Sequence, residues 1–503
     1  MSTVFEFNGA PGSGWSQPNS TFQNPNSTPE RLRRKKLPGW PRASEPELVR
    51  HYTLLSQKTF GIDTGFYPLG SCTMKHNPRV NERIVQLPGI DRIHPLQDSS
   101  QVQGLLAIYY EMQEMLAICS GMDAVTLQPV AGAQGEFTAI RCIQEFHRSR
   151  GDGHRDKVIV PDSAHGTNPA SASMCGYQII EIPSAPDGRL DIDALRAAVG
   201  EDTAAMMITN PSTLGLFETN IAEASQIVHD AGGQMYYDGA NFNAIIGKTD
   251  PGRMGFDAVH YNLHKTFSQP HGGGGPGSGP IGVKEHLSEF LPTPLASRRE
   301  SKEGDPAGIG DGHYYFWQDV GDQSIGKVQQ WNGNAGAVVR AWAFYRRYGR
   351  DLERMSEHAV LNSNYLRHKI MNPDPEVAAK INCMPSEGSE ASLVMHEFTL
   401  SMSPVKEVNG VTGKDVAKRL LDYGYMSPTL YFPQIVPECL MIEPTETESK
   451  EVLDKFAADF HAVLSEDPEI VTSAPHTTPV KRVDEVWAAR NLILRHPGNE
   501  SED

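Results

Sequence analysis

Five short apolar segments, separated by stretches long enough for helices, constrain the fold of this chain more than any other feature. They are DKVIVPD at 156–162, YQIIEIP at 177–183, AAMMITN at 204–210, QMYYDG at 234–239 and FDAVHYN at 256–262. Such runs are typical of strands that are buried on both faces, and their alternation with helices predicts a parallel sheet. We therefore predict an α/β fold in which ligands bind at the carboxyl ends of the strands.

Polar side chains follow several of these segments, at the point where each predicted strand ends. They are His165, Asn210, Thr213, Asp238 and Lys265. Each one alone has an ordinary explanation as a turn or loop residue. Together they match the needs of pyridoxal 5′-phosphate, because a carboxylate keeps the pyridine nitrogen protonated, a lysine binds the aldehyde and an imidazole covers the ring. The pattern therefore predicts catalytic roles for Lys265, Asp238 and His165.

Lys265 lies in an unusual sequence, YNLHKTFSQPHGGGGPGSGPIGV, which runs from Tyr261 to Val283. An apolar strand precedes the lysine and a loop with four consecutive glycines follows it, so the amine can be shielded from water. Shielding favours the neutral amine that forms a Schiff base with an aldehyde. Glycines also let the backbone approach a bulky bound group. The alternative is a solvated lysine at a strand end beside a flexible turn.

A second turn of small residues, Gly132-Ala133-Gln134-Gly135, comes between a short extended segment and a long helical one. This order places backbone N–H groups at a helix N-terminus, where the amides and the helix dipole favour an anion. Neither GxxxxGK[ST] nor GxGxxG occurs here or at residues 272–279, which disfavours a mononucleotide P-loop and a dinucleotide-binding fingerprint. The turn is therefore predicted to bind a phosphate monoester.

Composition limits the possible partners and the cellular location. The 503 residues carry a formal net charge of −17, which disfavours a nucleic-acid surface. No apolar run is long enough to span a membrane and the N-terminus lacks the regions of a signal peptide, so we expect a cytoplasmic protein. Six scattered cysteines without a CxxC pair indicate reduced thiols, and we predict no metal site.

The chain is predicted to have four parts. Residues 1–95 comprise a polar N-terminal arm and the segment FYPLGSCTMKHNP at 66–78, which suits either a loop that lines a site or a structural loop. Residues 96–335 form a large cofactor-binding domain. Residues 336–470 form a small α+β domain, and residues 471–503 form a tail with one more helical stretch, DEVWAARNLIL.

Capping residues predict where two helices of the small domain begin. Thr412 opens one helix, which Gly424 ends, and Thr445 with Glu448 three residues later opens another.

Seven motifs resemble those of one family of pyridoxal enzymes. They are FYPLGSCTMK, SAHGTNPASA, TNPSTLGLFE, YYDGAN, NLHKTF, PHGGGGPGSGPIGV and MIEPTETESKE, and they span roughly residues 45–465. The chain is similar to the glycine decarboxylase P-protein of the glycine cleavage system, in the form of the separate beta subunit of two-chain prokaryotic enzymes. One departure is GYMSPT, in which Met426 stands where members of the family often have a histidine.

The resemblance implies a fold-type-I pyridoxal 5′-phosphate enzyme, with a mostly parallel sheet in its large domain and an α+β small domain. It implies that the enzyme decarboxylates glycine and passes the aminomethyl group to the lipoyl arm of H-protein. It also implies a separate alpha subunit in an α2β2 heterotetramer, since the family's homologous other half is not in this sequence. By position, Lys265 takes the Schiff-base role, Asp238 pairs with the pyridine nitrogen and His165 stacks on the ring. The residues predicted to bind the cofactor are Gly132, Ala133, Gln134, His165, Asn210, Thr213, Asp238, Ala240, His264, Lys265, Gly273 and Gly274.

Two other interpretations stay open at the level of sequence. The first is another fold-type-I enzyme. An aminotransferase would usually carry an arginine for the substrate carboxylate in its C-terminal domain, and a cysteine desulfurase would carry a mobile catalytic cysteine, but neither has a clear candidate here. The second is a non-catalytic scaffold subunit that has kept the fold, and the presence of both Lys265 and Asp238 argues against it.

Overall fold

The computed structural model describes residues 4, 7, 29–32, 43–306, 308–384 and 393–494, so most of the predicted N-terminal arm lies outside the described residues. Contacts divide the chain into two units, residues 1–61 with 475–503 and residues 62–474. The predicted boundaries after residues 95, 335 and 470 stay predictions. Within the described ranges, none of the helices combines the length and the hydropathy that crossing a membrane requires.

Helices and strands alternate between residues 103 and 239. The α-helices of the described residues are α1 (Glu45–Ser56), α2 (Arg79–Val85), α3 (Pro88–Asp91), α4 (Gln103–Ser120), α5 (Gly132–Ser149), α6 (Thr167–Met174), α7 (Ile192–Ala198), α8 (Ile221–Asp230), α9 (Ala335–Tyr348), α10 (Leu352–Met371), α11 (Pro375–Ala378), α12 (Ser403–Asn409), α13 (Gly413–Asp422), α14 (Lys450–Ser465), α15 (Pro468–Ser473) and α16 (Glu485–Arg490). The strands are β1 (Ala124–Thr126), β2 (Lys157–Pro161), β3 (Gln178–Ile182), β4 (Thr203–Thr209), β5 (Gln234–Gly239), β6 (Ala258–Tyr261), β7 (Ile281–Val283), β8 (Leu295–Glu300), β9 (His313–Gln318), β10 (Asn382–Met384), β11 (Phe398–Ser401), β12 (Thr429–Leu430) and β13 (Cys439–Ile442). The five apolar segments predicted as strands are β2 to β6.

Seven strands form one sheet in the order β1-β7-β6-β5-β4-β2-β3. Strands β2 to β6 run parallel, whereas β7 lies antiparallel between β6 and β1. The predicted mostly parallel sheet is therefore confirmed. Its register places Thr209, Asp238 and His260 side by side near the carboxyl ends of β4, β5 and β6.

Two apolar clusters cover the two faces of this sheet. Successive residues of a strand point to opposite faces. Accordingly, Met206 and Tyr237 belong to one cluster, whereas Met207 and Tyr236 belong to the other. Because helices cover both faces, the inner strands β4, β5 and β6 bury every side chain and read as continuous apolar runs rather than as alternating ones.

The C-terminal part of the larger unit contains an antiparallel sheet in the order β10-β11-β13-β12, against which α10, α13 and α14 pack. This arrangement confirms the predicted α+β composition. Phe66 enters the same core, with its ring centroid 5.0 Å from that of Phe456. Phe66 is the first residue of the segment 66–78, which we call the 66–78 loop. The small domain therefore anchors that loop.

One of the two predicted caps is confirmed and the other is wrong. Thr412 caps α13 and forms a capping box with Asp415. The helix predicted to open at Thr445 begins only after Ser449. Thr445 is buried with a φ of 61°, and this left-handed backbone differs from the extended backbone that an N-cap residue adopts.

The unit formed by the two chain ends contains α1 and α16. A capping box of Ser44 and Glu47 opens α1, and the ring of Phe7 meets that of His51 edge-on, with centroids 5.3 Å apart. The helix predicted in DEVWAARNLIL is confirmed as α16.

Candidate active site

Lys265 follows β6 and is nearly buried, with 9% of its surface exposed. Its Nζ donates a hydrogen bond to the carbonyl oxygen of Ser71 at 2.5 Å. Ser71 belongs to the 66–78 loop, for which the sequence left two interpretations open. The contact shows that this loop lines the surroundings of Lys265.

Asp238 lies at the carboxyl end of β5 and is 2% exposed. Its Oδ1 accepts a hydrogen bond from the Ala240 N–H at 2.9 Å and lies 3.5 Å from Nε2 of His260. Burial by itself would raise the pKa of Asp238. His260 and the Ala240 N–H oppose burial, as do His165 and Lys265, and the net effect is a lowered pKa. Asp238 is therefore a buried carboxylate that stays ionised near neutral pH.

His260, which the sequence analysis missed, organises the carboxyl edge of the sheet around Asp238. Its Nδ1 lies 2.6 Å from the hydroxyl of Tyr236, and its Nε2 lies 2.9 Å from Nδ2 of Asn262. Asn262 in turn touches the start of α5, because a Cβ added at Gly132 would lie 2.6 Å from Asn262 Oδ1. A side chain at Gly132 would therefore displace the Asn262 amide from its contact with His260.

His165 is linked to Asp238 through two other side chains. Its Nδ1 lies 2.8 Å from the hydroxyl of Thr167, which donates to Oε1 of Glu136 at 2.7 Å. Burial, reinforced by the charge of Asp238, raises the pKa of Glu136 to about 7. One polar side-chain atom from each of Glu136, Asp238 and His260 lies within 4.8 Å of the others. His165 and Asp238 thus belong to one polar cluster, and the charge of Lys265 acts on both of them.

The turn predicted to bind phosphate forms the first turn of α5. The side chain of Gln134 is fully engaged, since its Oε1 accepts from the Val130 N–H at 2.8 Å and its Nε2 donates to the Val328 carbonyl at 2.7 Å. Gly132, Ala133 and Gln134 can therefore bind a ligand through their backbone N–H groups, because the N–H groups in the first turn of a helix have no acceptor within that helix.

Asn210 and Thr213 are buried and make hydrogen bonds to the backbone. Asn210 accepts from the Glu218 N–H at 2.9 Å, and Thr213 donates to the Ser163 carbonyl at 2.8 Å. In these contacts both side chains hold loops at the carboxyl edge of the sheet. Their predicted contact with the cofactor stays a prediction.

His264 directly precedes Lys265, and its ring centroid lies 5.6 Å from that of His271 at the start of the glycine loop. Burial, assisted by the charge of Lys265, lowers the pKa of His264 to about 3, so its ring is neutral. The His264 Nδ1 accepts a hydrogen bond from the Ser278 N–H at 3.3 Å. Gly273 and Gly274 are exposed and have φ angles of 68° and 94°, which only glycine adopts without strain.

Glu397, a fully buried residue of the small domain, holds the 66–78 loop against Lys265. Its two carboxylate oxygens accept hydrogen bonds from the Ser71 N–H at 2.8 Å and from Asn241 Nδ2 at 3.3 Å. Ser71 has a φ of 64°, a left-handed conformation that residues other than glycine rarely adopt. The carboxylate therefore stabilises the strained residue whose carbonyl receives the lysine.

Glu443 makes a parallel set of contacts two residues further along the same loop. It accepts from the Thr73 N–H at 3.0 Å and from Asn243 Nδ2 at 3.1 Å, and Thr73 has a φ of 44°. Burial raises the pKa of Glu443 to about 7, and burial together with the charge of Glu443 raises that of Glu397 to about 8. The pair of carboxyl groups therefore shares a proton at neutral pH.

Lys75, the second lysine of the 66–78 loop, is engaged in an ion pair. Its Nζ lies 2.7 Å from Oε1 of Glu446 and 2.8 Å from the carbonyl oxygen of Thr266. Lys265, by contrast, donates to a backbone carbonyl. The amine of Lys75 is therefore held by a carboxylate, whereas that of Lys265 is held by a neutral backbone carbonyl.

Several residues of the cluster carried too weak a signal to be found from sequence. His260 and Glu397 each interrupt an apolar stretch, FDAVHYN and SLVMHEFTL, and an ionisable residue inside a buried strand needs a partner. That interruption is the signal that could have revealed them. Ser71 contributes backbone atoms, so its side-chain type carried no information about its contact with Lys265.

Two family profiles match parts of this chain. The profile described as glycine dehydrogenase, C-terminal domain, matches residues 355–482, and the aminotransferase class-V profile matches residues 137–295. The second match covers most of the seven-stranded sheet and supports the predicted fold-type-I architecture.

Full-length relatives are similar over most of their length. A protein of Thermococcus gammatolerans is 51% identical over 471 residues, which are 93% of this chain and 90% of the relative. A protein of Nitrosospira multiformis is 52% identical over 472 residues, again 93% and 90% of the two chains. Both are described as probable glycine dehydrogenase (decarboxylating) subunit 2.

A solved structure has the same fold. The crystal structure of glycine decarboxylase (P-protein) of the glycine cleavage system, in inhibitor-bound form, aligns with a TM-score of 0.67 and 17% identity, covering 88% of this chain and 93% of that one. At this identity the likeness concerns the fold, and it confirms the predicted fold class. The half-identical relatives show that the chain belongs to the family of glycine dehydrogenase (decarboxylating) subunit 2.

Proposed function

We propose that this chain, with a partner subunit 1, decarboxylates glycine with the help of pyridoxal 5′-phosphate. The aminomethyl group then passes to the lipoyl arm of H-protein. Names of the relatives support the first reaction. The structural observation that carries the proposal is the carboxyl edge of the sheet, where the buried Asp238 ends β5 and the nearly buried Lys265 follows the neighbouring strand β6.

The chemistry of this cluster fits the proposed cofactor. Lys265 would hold the aldehyde, Asp238 the pyridine nitrogen, and the N–H groups at the start of α5 the phosphate. His165 would cover the ring. When bound, the cofactor supplies an electron sink for the pair of electrons left behind as carbon dioxide departs.

Each protein group has a task that follows from its surroundings. Asp238 keeps a proton on the pyridine nitrogen because its lowered pKa leaves it ionised. The Ala240 N–H fixes the direction in which its carboxylate points. The carbonyl of Ser71 orients the amine of Lys265. Burial of these groups excludes water, which strengthens every charge interaction among them.

Transfer to H-protein requires a second reactant, the lipoyl disulfide. The aminomethyl carbon bonds to one sulfur as the disulfide bond breaks, and the other sulfur takes up a proton to become a thiol. We propose that Asn210, Thr213, Ala240, His264, Gly273 and Gly274 complete the surroundings of the cofactor, and that two copies of each subunit form an α2β2 assembly. The cytoplasmic location and the lack of contact with nucleic acid or membrane stay predictions from sequence.

The proposal is tested at Lys265. Lys265→Ala is expected to abolish the visible absorbance of the protein with pyridoxal 5′-phosphate and the glycine-dependent exchange of the carboxyl carbon with labelled bicarbonate, because the amine that holds the aldehyde is gone. Lys75→Arg is the matched control, since it keeps the positive charge beside Glu446 but cannot bind an aldehyde. It should retain both signals.

Borohydride reduction gives an independent readout, because it fixes the cofactor covalently to the lysine that binds it. Mass spectrometry of the digested protein should then find the label on the peptide that contains Lys265. Substantial exchange in Lys265→Ala, or a label on Lys75, would refute the assignment.

A further inference from the structure

A chain of hydrogen bonds runs from His165 to a buried carboxyl group that has no part in the proposed reaction. Nδ1 of His165 lies 2.8 Å from Oγ1 of Thr167, and Thr167 Oγ1 lies 2.7 Å from Oε1 of Glu136. The other oxygen of Glu136 accepts from the hydroxyl of Ser171 at 3.0 Å. Glu136 is 3% exposed and Ser171 is 4% exposed, so water does not compete for these bonds.

We propose that Glu136 sets the tautomer of His165 through the hydroxyl of Thr167. The inference rests on the proposed function, because the tautomer of His165 affects the reaction only if this histidine lies on the cofactor ring. Glu136 and Thr167 are positioning residues in this scheme, since they act on the reaction through His165.

The argument follows from the number of protons that each group can donate. An ionised Glu136 can only accept, so the single hydroxyl proton of Thr167 must point towards it. Thr167 then has only lone pairs to offer His165, and Nδ1 must carry the ring proton. Nε2 is left as a hydrogen-bond acceptor and a base.

Protonation of Glu136 reverses the direction of the chain. The carboxyl O–H can donate to Thr167, which can then donate to Nδ1, so the ring proton moves to Nε2. The backbone N–H of Thr167 lies 3.3 Å from the same Nδ1 and suits this second state, because it also needs an acceptor there. Partners for both tautomers are therefore already in place.

Glu136 gains or loses its proton near neutral pH, where the His165 ring is neutral and therefore exists as one of two tautomers. Burial, assisted by the charge of Lys265, lowers the pKa of His165, so its ring is neutral and one nitrogen carries the proton. Burial and the charge of Asp238 raise the pKa of Glu136 to about 7, although Thr167, Ser171 and Lys265 oppose the rise. The groups that face Glu136 from neighbouring elements are Tyr236 and Asp238 on β5, His260 on β6, Lys265 beyond β6, and Thr167 and Ser171 on α6.

Nuclear magnetic resonance of the full chain, labelled with ¹⁵N-histidine and assembled with unlabelled subunit 1, measures this tautomer directly, and it does not depend on turnover. The ring signals of His165 are assigned by their loss in His165→Gln. The protein is expected to change from the Nε2–H form to the Nδ1–H form as pH rises from about 6 to about 8. The glutamine of Glu136→Gln cannot ionise, and the valine of Thr167→Val has no hydroxyl to connect Glu136 with His165. Both variants should therefore lose the change of tautomer with pH.

Two further variants separate this role from a merely structural one. Thr167→Ser keeps a hydroxyl and should restore the response. Ser171→Ala removes the second hydrogen bond to Glu136 and should move the midpoint to higher pH without abolishing the change, because the carboxylate loses a donor.

The outcomes distinguish this inference from the proposed function. A pH response that survives in Thr167→Val or Glu136→Gln, or a single tautomer across the range in the parent protein, would overturn the inference even if the enzyme decarboxylates glycine. Conversely, the expected response in a protein that does not decarboxylate glycine would overturn the proposed function alone.

Discussion

Replacing Glu397 with glutamine is expected to change how the stability of the protein depends on pH. In the folded chain, burial and the charge of Glu443 raise the pKa of Glu397 to about 8, from the value of 4.5 that we take for the unfolded chain. The hydrogen bonds from Ser71 and Asn241 oppose that rise. Between these two pH values the folded state therefore holds a proton that the unfolded state has released.

The sign and size of the effect follow from this difference. Because the folded state binds the additional proton, the contribution of Glu397 to the free energy of unfolding is highest below about pH 4.5 and falls as the pH rises towards 8. Each bound proton contributes about 1.4 kcal/mol per pH unit. Across the whole interval, one proton shared by the pair accounts for at most about 5 kcal/mol.

The glutamine variant loses this dependence but also loses one hydrogen bond. Its amide oxygen can accept from Ser71 or from Asn241, and its NH2 group then faces the other donor, which costs about 1–3 kcal/mol. We therefore expect Glu397→Gln to be less stable than the parent by about 1 kcal/mol at pH 5. At pH 8 it should be more stable by about 2 kcal/mol.

Urea denaturation followed by circular dichroism at pH 5, 6, 7 and 8 gives the slope of the free energy of unfolding against pH for the parent and for Glu397→Gln. Glu407→Gln is the matched control, because Glu407 is an exposed glutamate of the same domain and its replacement should leave the slope of the parent unchanged. Equal slopes for the parent and Glu397→Gln would refute the reasoning, since they would show that Glu397 is already ionised in the folded chain.

Two further predictions concern the site and its assembly. Asp238→Ala should keep the phosphate contacts and still bind the cofactor. Its activity should fall by roughly 100-fold or more, because nothing then holds the pyridine nitrogen protonated. Near-normal exchange with full cofactor occupancy would contradict this role. Expressed alone, the chain should be poorly active, aggregate or form non-native dimers, whereas coexpression with subunit 1 should give a heterotetramer with full activity. Light scattering measures the mass, and an assay with H-protein measures the activity. A stable species without subunit 1 that is as active as the mixture would contradict this prediction.

The sequence by itself determined the strands of the large sheet and the polar residues at their carboxyl ends. Both follow from local patterns. An apolar run of strand length predicts a buried strand, and the carboxyl ends of parallel strands meet at one edge of the sheet. Asp238 and Lys265 could therefore be found without any knowledge of packing. The motifs were specific enough to indicate the family, and the half-identical relatives confirm it.

Only the tertiary structure decided how the rest of the site is built. Ser71 meets Lys265 across 194 positions and Glu397 across 326, and Thr73 meets Glu443 across 370. These contacts join backbone atoms to side chains far away in the sequence, and no local pattern encodes such a pair. The cap predicted at Thr445 is wrong for a related reason, because a buried turn with left-handed backbone delays the helix.

The charge states within the site likewise depend on the folded chain. A glutamate in a sequence has an ordinary pKa, and Glu136 acquires its raised value because folding removes it from water and sets it beside Asp238. Desolvation and the interaction of charges both depend on distances in three dimensions. The sequence therefore determined which ionisable groups are available, and the packing of α5 and α6 against the sheet decided which of them hold a proton.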